Sequence, residues 1–207
     1  MVDFAYKGPT RKGHGTGRKG LSSTLKYLQY RDKVQNQLAQ NRDYERWQDR
    51  GMGFHWRDIL SNSDNLQSKH VLAWTWVVSP APDLMALVPE GERRDLVCDL
   101  TERIVEDYYI ERGFDLPEYS YILHDCQTEA GDQQLHTHVV LPGTAPSVAE
   151  RLPVYNNASQ GDDKLFRNIA TRHFEAMLDE TIGHDWRRLR ETPERDHPDS
   201  LADWFPR

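Results

Sequence analysis

The stretch from Tyr119 to Gly143 constrains this chain more than any other, because it reads as a β-hairpin that carries three of the nine histidines. Its arms, Tyr119 to Cys126 and Leu135 to Leu141, are rich in aromatic and β-branched residues, and Glu129-Ala-Gly-Asp132 between them supplies the chemistry of a turn. With the turn centred on Ala130 and Gly131, the indices of cross-strand partners sum to about 260 or 261. In the 260 register His124 lies opposite His136. Residues two apart share a face, so His136, His138 and His124 then project to one side of the sheet. A slip of one residue would turn His124 away from the other two. Three imidazoles on a rigid platform make a facial metal site that leaves positions for water or substrate. The alternative is the polar face of a half-exposed strand. Thr137, between two of the histidines, points to the opposite face, a mildly polar choice for a core position.

The rest of the chain supplies a body for this hairpin. Its 207 residues suit one well-cored domain. Mean hydropathy is low, at -0.81, but six Trp and nine Tyr argue against a disordered chain. Val2, Phe4 and Tyr6 alternate with polar neighbours as a short strand that Gly8-Pro9 should break. His70 to Pro80 reads as a strand buried on both faces and therefore central. Glu90 to Arg112 is the clearest helix, with Leu96, Val97, Leu100, Ile104, Val105 and Tyr108 on one face and Gly113 as its stop. Asp163 to Ile182 is a second amphipathic helix, ended by Gly183, in which His173 reads as a packed, hydrogen-bonded residue. A short helix over Trp56 to Leu60, a helix-rich polar arm over Gln35 to Gly53 and an edge strand over Leu152 to Tyr155 are also expected. The aromatics Tyr44 and Trp47 in that arm either stack on bases or fold it onto the body. Asp185 to Arg207 is a charged, proline-bearing tail.

Cys98 and Cys126 have no CxxC spacing and are expected as free thiols. The opening Met-Val-Asp-Phe-Ala-Tyr-Lys has no continuous apolar run, and no stretch approaches the ~20 apolar residues of a membrane span. The expected location is the cytoplasm.

Charge is unevenly spread. The net charge is -7, yet residues 1 to 33 carry eight Lys or Arg against Asp3 and Asp32, a local excess of +6. A polyanion is best held at that end. The loop Thr10 to Gly20 contains Gly15-Thr-Gly17-Arg-Lys-Gly20, which matches GxGxxG literally. It lacks the apolar βαβ continuation of a dinucleotide site, because the polar, basic Lys26-Tyr-Leu-Gln-Tyr-Arg-Asp-Lys33 follows. The better reading is a basic loop whose glycines admit phosphates, with Arg11, Lys12, Arg18 and Lys19 as counter-charge and Lys26 and Arg31 on the helix behind it. Ser22 or Ser23 is the expected N-cap of that helix. It carries Tyr27 and Tyr30 one turn apart. A metal platform, a basic helix with tyrosines and a glycine-rich basic loop together suit attack on a phosphodiester, in which a cation draws charge from a non-bridging oxygen while a phenol attacks phosphorus in line.

Gln134-Leu-His-Thr-His-Val-Val-Leu-Pro-Gly143 resembles the paired-histidine motif of HUH endonucleases, and Lys26-Tyr-Leu-Gln29 resembles the nucleophile motif of plasmid mobilisation and conjugation relaxases. The order, tyrosine first and histidines some hundred residues later, is that of relaxases. The resemblance implies an α+β fold, a single domain over 1–185 with a central antiparallel β-sheet flanked by helices and an RRM-like core, followed by the tail 186–207. The basic loop and nucleophile helix occupy 8–34. It further implies Tyr27 as nucleophile with Tyr30 in reserve, and His136, His138 and His124 as ligands of a divalent ion, Mn or Mg. The partner it implies is single-stranded DNA or a hairpin at a transfer origin, nicked through a 5′-phosphotyrosyl intermediate, with accessory relaxosome and coupling proteins. The chain departs from the pattern at Thr137, where a hydrophobic residue is usual, and in the long spacing from His124 to His136, so that Asp125, Glu129 or Asp132 remain alternative oxygen ligands. The alternatives in function are a rolling-circle replication initiator, a metal-dependent phosphodiesterase with structural tyrosines, and a DNA-binding domain that does not cut.

Overall fold

The computed structural model describes residues 4–11, 17–35, 47–127, 131–155 and 161–189, with the backbone alone for 4–11, 31–35 and 189. Five strands form one antiparallel sheet: β1 (Phe4–Arg11), β2 (Trp47–Arg50), β3 (Val71–Val78), β4 (Tyr119–Gln127) and β5 (Gln133–Pro142), in the order β1-β3-β5-β4-β2. The helices are α1 (Gly17–Gln35), α2 (Trp56–Asn65), α3 (Pro82–Met85), α4 (Arg93–Glu111), α5 (Asp162–Ile182) and α6 (Trp186–Leu189). A small ribbon of β6 (Thr144–Pro146) and β7 (Arg151–Pro153) lies beyond β5. This is the α+β architecture expected of the sequence, with β5 at the centre of the sheet.

The hairpin adopts the 260 register, with His124 paired to His136, Ile122 to His138 and Leu123 to Thr137. Alternation then divides β3, β4 and β5 between two cores. On one face Trp74, Trp76, Tyr121, Val139 and Leu141 pack with Leu96, Leu100 and Ile104 of α4 and Phe166, Ile169 and Phe174 of α5. On the other face Ala73, Ile122 and Val140 pack with Leu21, Leu25 and Leu28 of α1 and Ile59 and Leu60 of α2. The α1 leucines recur at intervals of four and three, which places them on one helical stripe. Both faces being covered explains why β3 reads as a nearly continuous apolar run.

Three local expectations change. Gly8-Pro9 does not end β1, which runs on to Arg11 through an irregularity between Lys7 and Thr10; antiparallel pairing to β3 carries the chain across the break. Helix α1 starts at Gly17, ahead of Ser22 and Ser23, so the second half of the basic glycine loop is helical. Trp47–Arg50 is an edge strand on β4 and not part of a helical arm, and Trp47 is buried against Ile122, so it packs and does not present itself to a base. Tyr44 lies outside the described residues.

Glycine matters most at Gly143, where the chain leaves β5. A Cβ there would stand 2.1 Å from the Val71 carbonyl oxygen and 2.7 Å from the Ser68 nitrogen, both backbone atoms. Trp186, at the expected start of the tail, is buried and its Nε1 donates to Asp179 at 2.9 Å. Residues 190–207 lie outside the described part. His173 does pack with a partner, its Nε2 lying 2.7 Å from Asp107 Oδ2 on α4. Both cysteines are free thiols.

Candidate metal centre and nucleophile helix

Because the register sum is even, His124 of β4 and His136 and His138 of β5 project to the α1 side of the sheet, just past the apolar patch of Ile122 and Val140. Each is more than nine-tenths buried. Their ring centroids are 5.0 to 5.5 Å apart, and one ligand atom from each lies within 4.8 Å of the others. This is the only group of three or more His, Cys, Asp or Glu with metal-binding spacing among the described residues.

Hydrogen bonds orient two of the rings. His124 Nε2 is 2.9 Å from the carbonyl oxygen of Leu28 in α1. A carbonyl only accepts, so Nε2 carries the proton and Nδ1 is the basic nitrogen of that ring. His136 Nδ1 lies 3.4 Å from the Gln134 carbonyl oxygen and 3.8 Å from Cys126 Sγ. That leaves Nε2 as its basic nitrogen. Backbone partners of this kind fix the tautomer and orientation of metal-binding histidines. Three imidazoles on two adjoining strands, with no carboxylate in the group, suit a divalent transition ion and leave further coordination positions open. Asp125, the alternative ligand, faces away from His124 along the strand; it pairs with Arg94 at 3.3 Å and accepts from Gln133 Nε2 at 2.9 Å. Glu129 lies outside the described residues.

Helix α1 meets the cluster through Leu28. Tyr27, the residue before it, is about half exposed, while Leu28 and Gln29 are buried. Lys26 Nζ sits 4.3 Å from the centroid of Trp56, and Tyr30 Oη is 3.5 Å from His55 Nε2. Gln29 Oε1 accepts from the Trp56 backbone N–H at 2.8 Å. Three of the other tyrosines, Tyr109, Tyr119 and Tyr121, offer poor nucleophiles. Burial and the hydrogen bond that its hydroxyl donates to Glu102 push the Tyr121 phenol far up, burial does the same for Tyr109, and burial with Glu102 nearby pushes Tyr119 up to about 12.

Of the expected DNA-binding cations, Lys19 and Lys26 are exposed on α1, and Arg18 is exposed but paired with Asp64 at 2.7 Å. Lys12 lies outside the described residues, and of Arg11 and Arg31 only the backbone is described. Sequence reasoning does not single out Gln29 on α1, or His55 and Trp56 as neighbours of that helix. The signal available for the last two is the aromatic run Phe54-His-Trp56 behind Gly51-Met-Gly53.

No family model and no curated protein sequence matches this chain. Solved structures do match. A metal-bound complex of the conjugative relaxase TrwC with oriT DNA aligns with a TM-score of 0.56 at 13% identity over 91% of this chain and 70% of that one. A copper-bound complex of the same relaxase gives 0.54 at 15% identity over 91% and 71%. TrwC with a 27-mer DNA carrying the recognition hairpin and cleavage site gives 0.54 at 13% over 96% and 72%. At such low identity the likeness is one of architecture, and it shows that this chain has the fold of a conjugative relaxase.

Proposed function

We propose that this protein is a relaxase: a metal-dependent enzyme that nicks and rejoins one DNA strand at the transfer origin of a plasmid or other mobile element. The observation that carries the reading is the joint between α1 and the histidine cluster, where the Leu28 carbonyl accepts from His124 one residue away from the half-exposed Tyr27. His124 through Nδ1, His136 through Nε2 and His138 are the residues that would hold the ion, with Mn or Mg as the physiological metals by availability. An ion held there supplies charge withdrawal from a non-bridging oxygen of the scissile phosphate. The remaining work belongs to the chain. Tyr27 Oη attacks phosphorus as its proton passes to solvent, the bond from phosphorus to O3′ breaks, and O3′ leaves as a protonated hydroxyl. The 5′ phosphate is then held as a tyrosyl ester that keeps the energy of the broken strand, and the free 3′ hydroxyl reverses the step. Tyr30, one turn on, is the reserve nucleophile. Lys19 and Lys26, with Arg11, Lys12, Arg18 and Arg31, hold the DNA backbone by charge.

On this reading residues 1–185 are the nuclease domain, 186–207 its tail, the partner is single-stranded or hairpin DNA together with relaxosome and coupling proteins, and the enzyme works in the cytoplasm. Among the described residues no helix is long and apolar enough to cross a membrane. The test is incubation with supercoiled plasmid bearing the cognate origin and Mn(II). The expected product is nicked DNA with protein on its 5′ end, absent with Tyr27→Phe and retained with Tyr30→Phe. Adduct formation by Tyr27→Phe would refute the assignment of the nucleophile, and release of a free 5′ phosphate would refute strand transfer.

A further inference from the structure

Between β2 and α2 the chain holds an aromatic ring out into solvent on an unusually well-fixed loop. Phe54 is 57% exposed. A single exposed apolar residue means little by itself. Here the backbone on both sides of it is tied down. Asp49 Oδ1 accepts from the N–H groups of Gly51 and Gly53 at 2.7 Å each, Asn62 Nδ2 donates to the Met52 carbonyl at 3.0 Å, and Ser120 Oγ donates to the Gly53 carbonyl at 2.8 Å. Gln29 holds the Trp56 N–H. Met52 is fully buried beneath the loop. Gly51 and Gly53 have φ of 107° and 113°, and a Cβ on Gly53 would lie 2.5 Å from Asp58 Cβ, so the loop requires glycine there.

Two residues beyond Phe54 along the chain, a second aromatic holds two cations. Lys26 Nζ is 4.3 Å and the Arg57 guanidinium carbon 5.1 Å from the centroid of Trp56. Cation–π contacts of this kind hold long, otherwise mobile side chains in place. Phe54 is two residues from Trp56, a span of at most about 7 Å of chain. Lys26 adjoins Tyr27 in sequence. The loop therefore brings an open aromatic face and two positioned positive charges to the helix that carries the proposed nucleophile.

We propose that Phe54, Lys26 and Arg57 form a nucleotide subsite for single-stranded DNA, with Phe54 stacking on one unpaired base and the two cations held by Trp56 taking the phosphates beside it. Stacking on a rigid ring tolerates any base, so the subsite fixes the path of the strand and does not read its sequence. Duplex DNA, whose bases already stack on one another, gains nothing from Phe54. The inference rests on the relaxase reading for the identity of the ligand.

The experiment is fluorescence anisotropy with a labelled single-stranded oligonucleotide of the cognate origin and with the same sequence as a blunt duplex. It is run in EDTA on the full chain, across a salt series. Phe54→Ala is expected to weaken single-strand binding between about fivefold and a hundredfold, to leave duplex binding and the salt slope unchanged, and to be rescued by Phe54→Trp, whose added indole emission is quenched on binding. Arg57→Gln is expected to lower the salt slope by about one. Unchanged single-strand affinity in Phe54→Ala overturns the subsite, as does an equal loss for single strand and duplex. If the plasmid nicking described above occurs while Phe54→Ala binds normally, the subsite alone falls. A Phe54-dependent single-strand affinity without nicking sinks the relaxase reading and keeps the subsite. Wild type that binds no single strand sinks both.

Discussion

Thr137, the residue between the two β5 histidines, allows a prediction in which the direction of a hydrogen bond decides the outcome. Thr137 Oγ1 lies 2.7 Å from Thr101 Oγ1 on α4, and Thr101 Oγ1 also lies 2.7 Å from the Val97 carbonyl oxygen one turn back; both threonines are fully buried. A hydroxyl has one proton and a carbonyl none, so Thr101 donates to Val97 and Thr137 must donate to Thr101. The two substitutions to valine are then unequal. Thr137→Val removes a donor and leaves Thr101 with its carbonyl, which costs about 0.5–1.5 kcal/mol. Thr101→Val leaves the Thr137 O–H buried without its acceptor, at a cost of about 1–3 kcal/mol, while the Val97 carbonyl keeps its helical partner. Replacing both removes the stranded group, so the double variant should be more stable than the sum of the singles predicts. Urea denaturation at constant m-value measures all three. Expected is a lower urea midpoint for Thr101→Val than for Thr137→Val, and, in parallel thermal melts, a Tm lower by roughly 2–4 °C per kcal/mol of difference in a chain of this size. A Thr101→Val midpoint equal to or above that of Thr137→Val would refute the donor assignment.

Metal linkage gives a second test. Mn(II) at about a hundred times its Kd should stabilise the folded chain by about 2.7 kcal/mol, or roughly 5–11 °C in Tm, reversed by EDTA. His136→Ala and His138→Ala should lose this rise and His173→Ala should keep it; a full shift in His136→Ala would remove the cluster as the binding site. Glu118 offers a pH test. Burial alone would raise its carboxyl, but the hydrogen bonds and charge of Arg151, with both contacts at 2.8 Å, lower it below its ordinary 4.5. A depressed carboxylate adds stability above pH 4.5 that is lost as pH falls through the lower folded value. Thermal melts of Glu118→Gln and wild type should therefore differ at pH 7 and converge at more acid pH; a gap that widens with acid would contradict this. Finally, Gly143→Ala forces backbone apart at the exit of β5 and should cost about 3 kcal/mol or more. A melting temperature within a degree or two of wild type would show that the junction opens freely.

Much of the site could be read from residues alone because the constraint was local. Alternation puts His136 and His138 on one face whatever the register, whereas the sequence leaves the sums 260 and 261 both open for His124, and it is the pairing of β4 to β5 in the structure that selects 260. The stripes of α4 and α5 were equally plain. What escaped depends on distant partners. Gly8-Pro9 reads as a stop, yet pairing to β3 overrides it. Trp47–Arg50 is too short to show a period, and only its ladder to β4 makes it a strand. Glycines at 17 and 20 argue against helix, but burial of Leu21 and Leu25 extends α1 back over them. The contacts of Gln29 and Tyr30 with Trp56 and His55 join segments more than twenty residues apart and leave no trace in local pattern. Thr137 departs from the hydrophobic residue of the motif it resembles, and its buried match on α4 could not be read from the hairpin.

The central place of β5 has a consequence for time as well as shape. Strands β3 and β4 flank it, and His138 pairs with Val77 on one side and Ile122 on the other, so its amide is expected to exchange with solvent only when the sheet opens. The histidine cluster is thus built on strands of the central ladder. Helix α1 is held against that strand pair by side-chain packing of Leu21, Leu25 and Leu28 and by the hydrogen bond from His124 to the Leu28 carbonyl, and not by the ladder itself. On the relaxase reading proposed above, the tyrosine that would join DNA lies on the packed helix, and the histidines that would hold the ion lie on the paired strands.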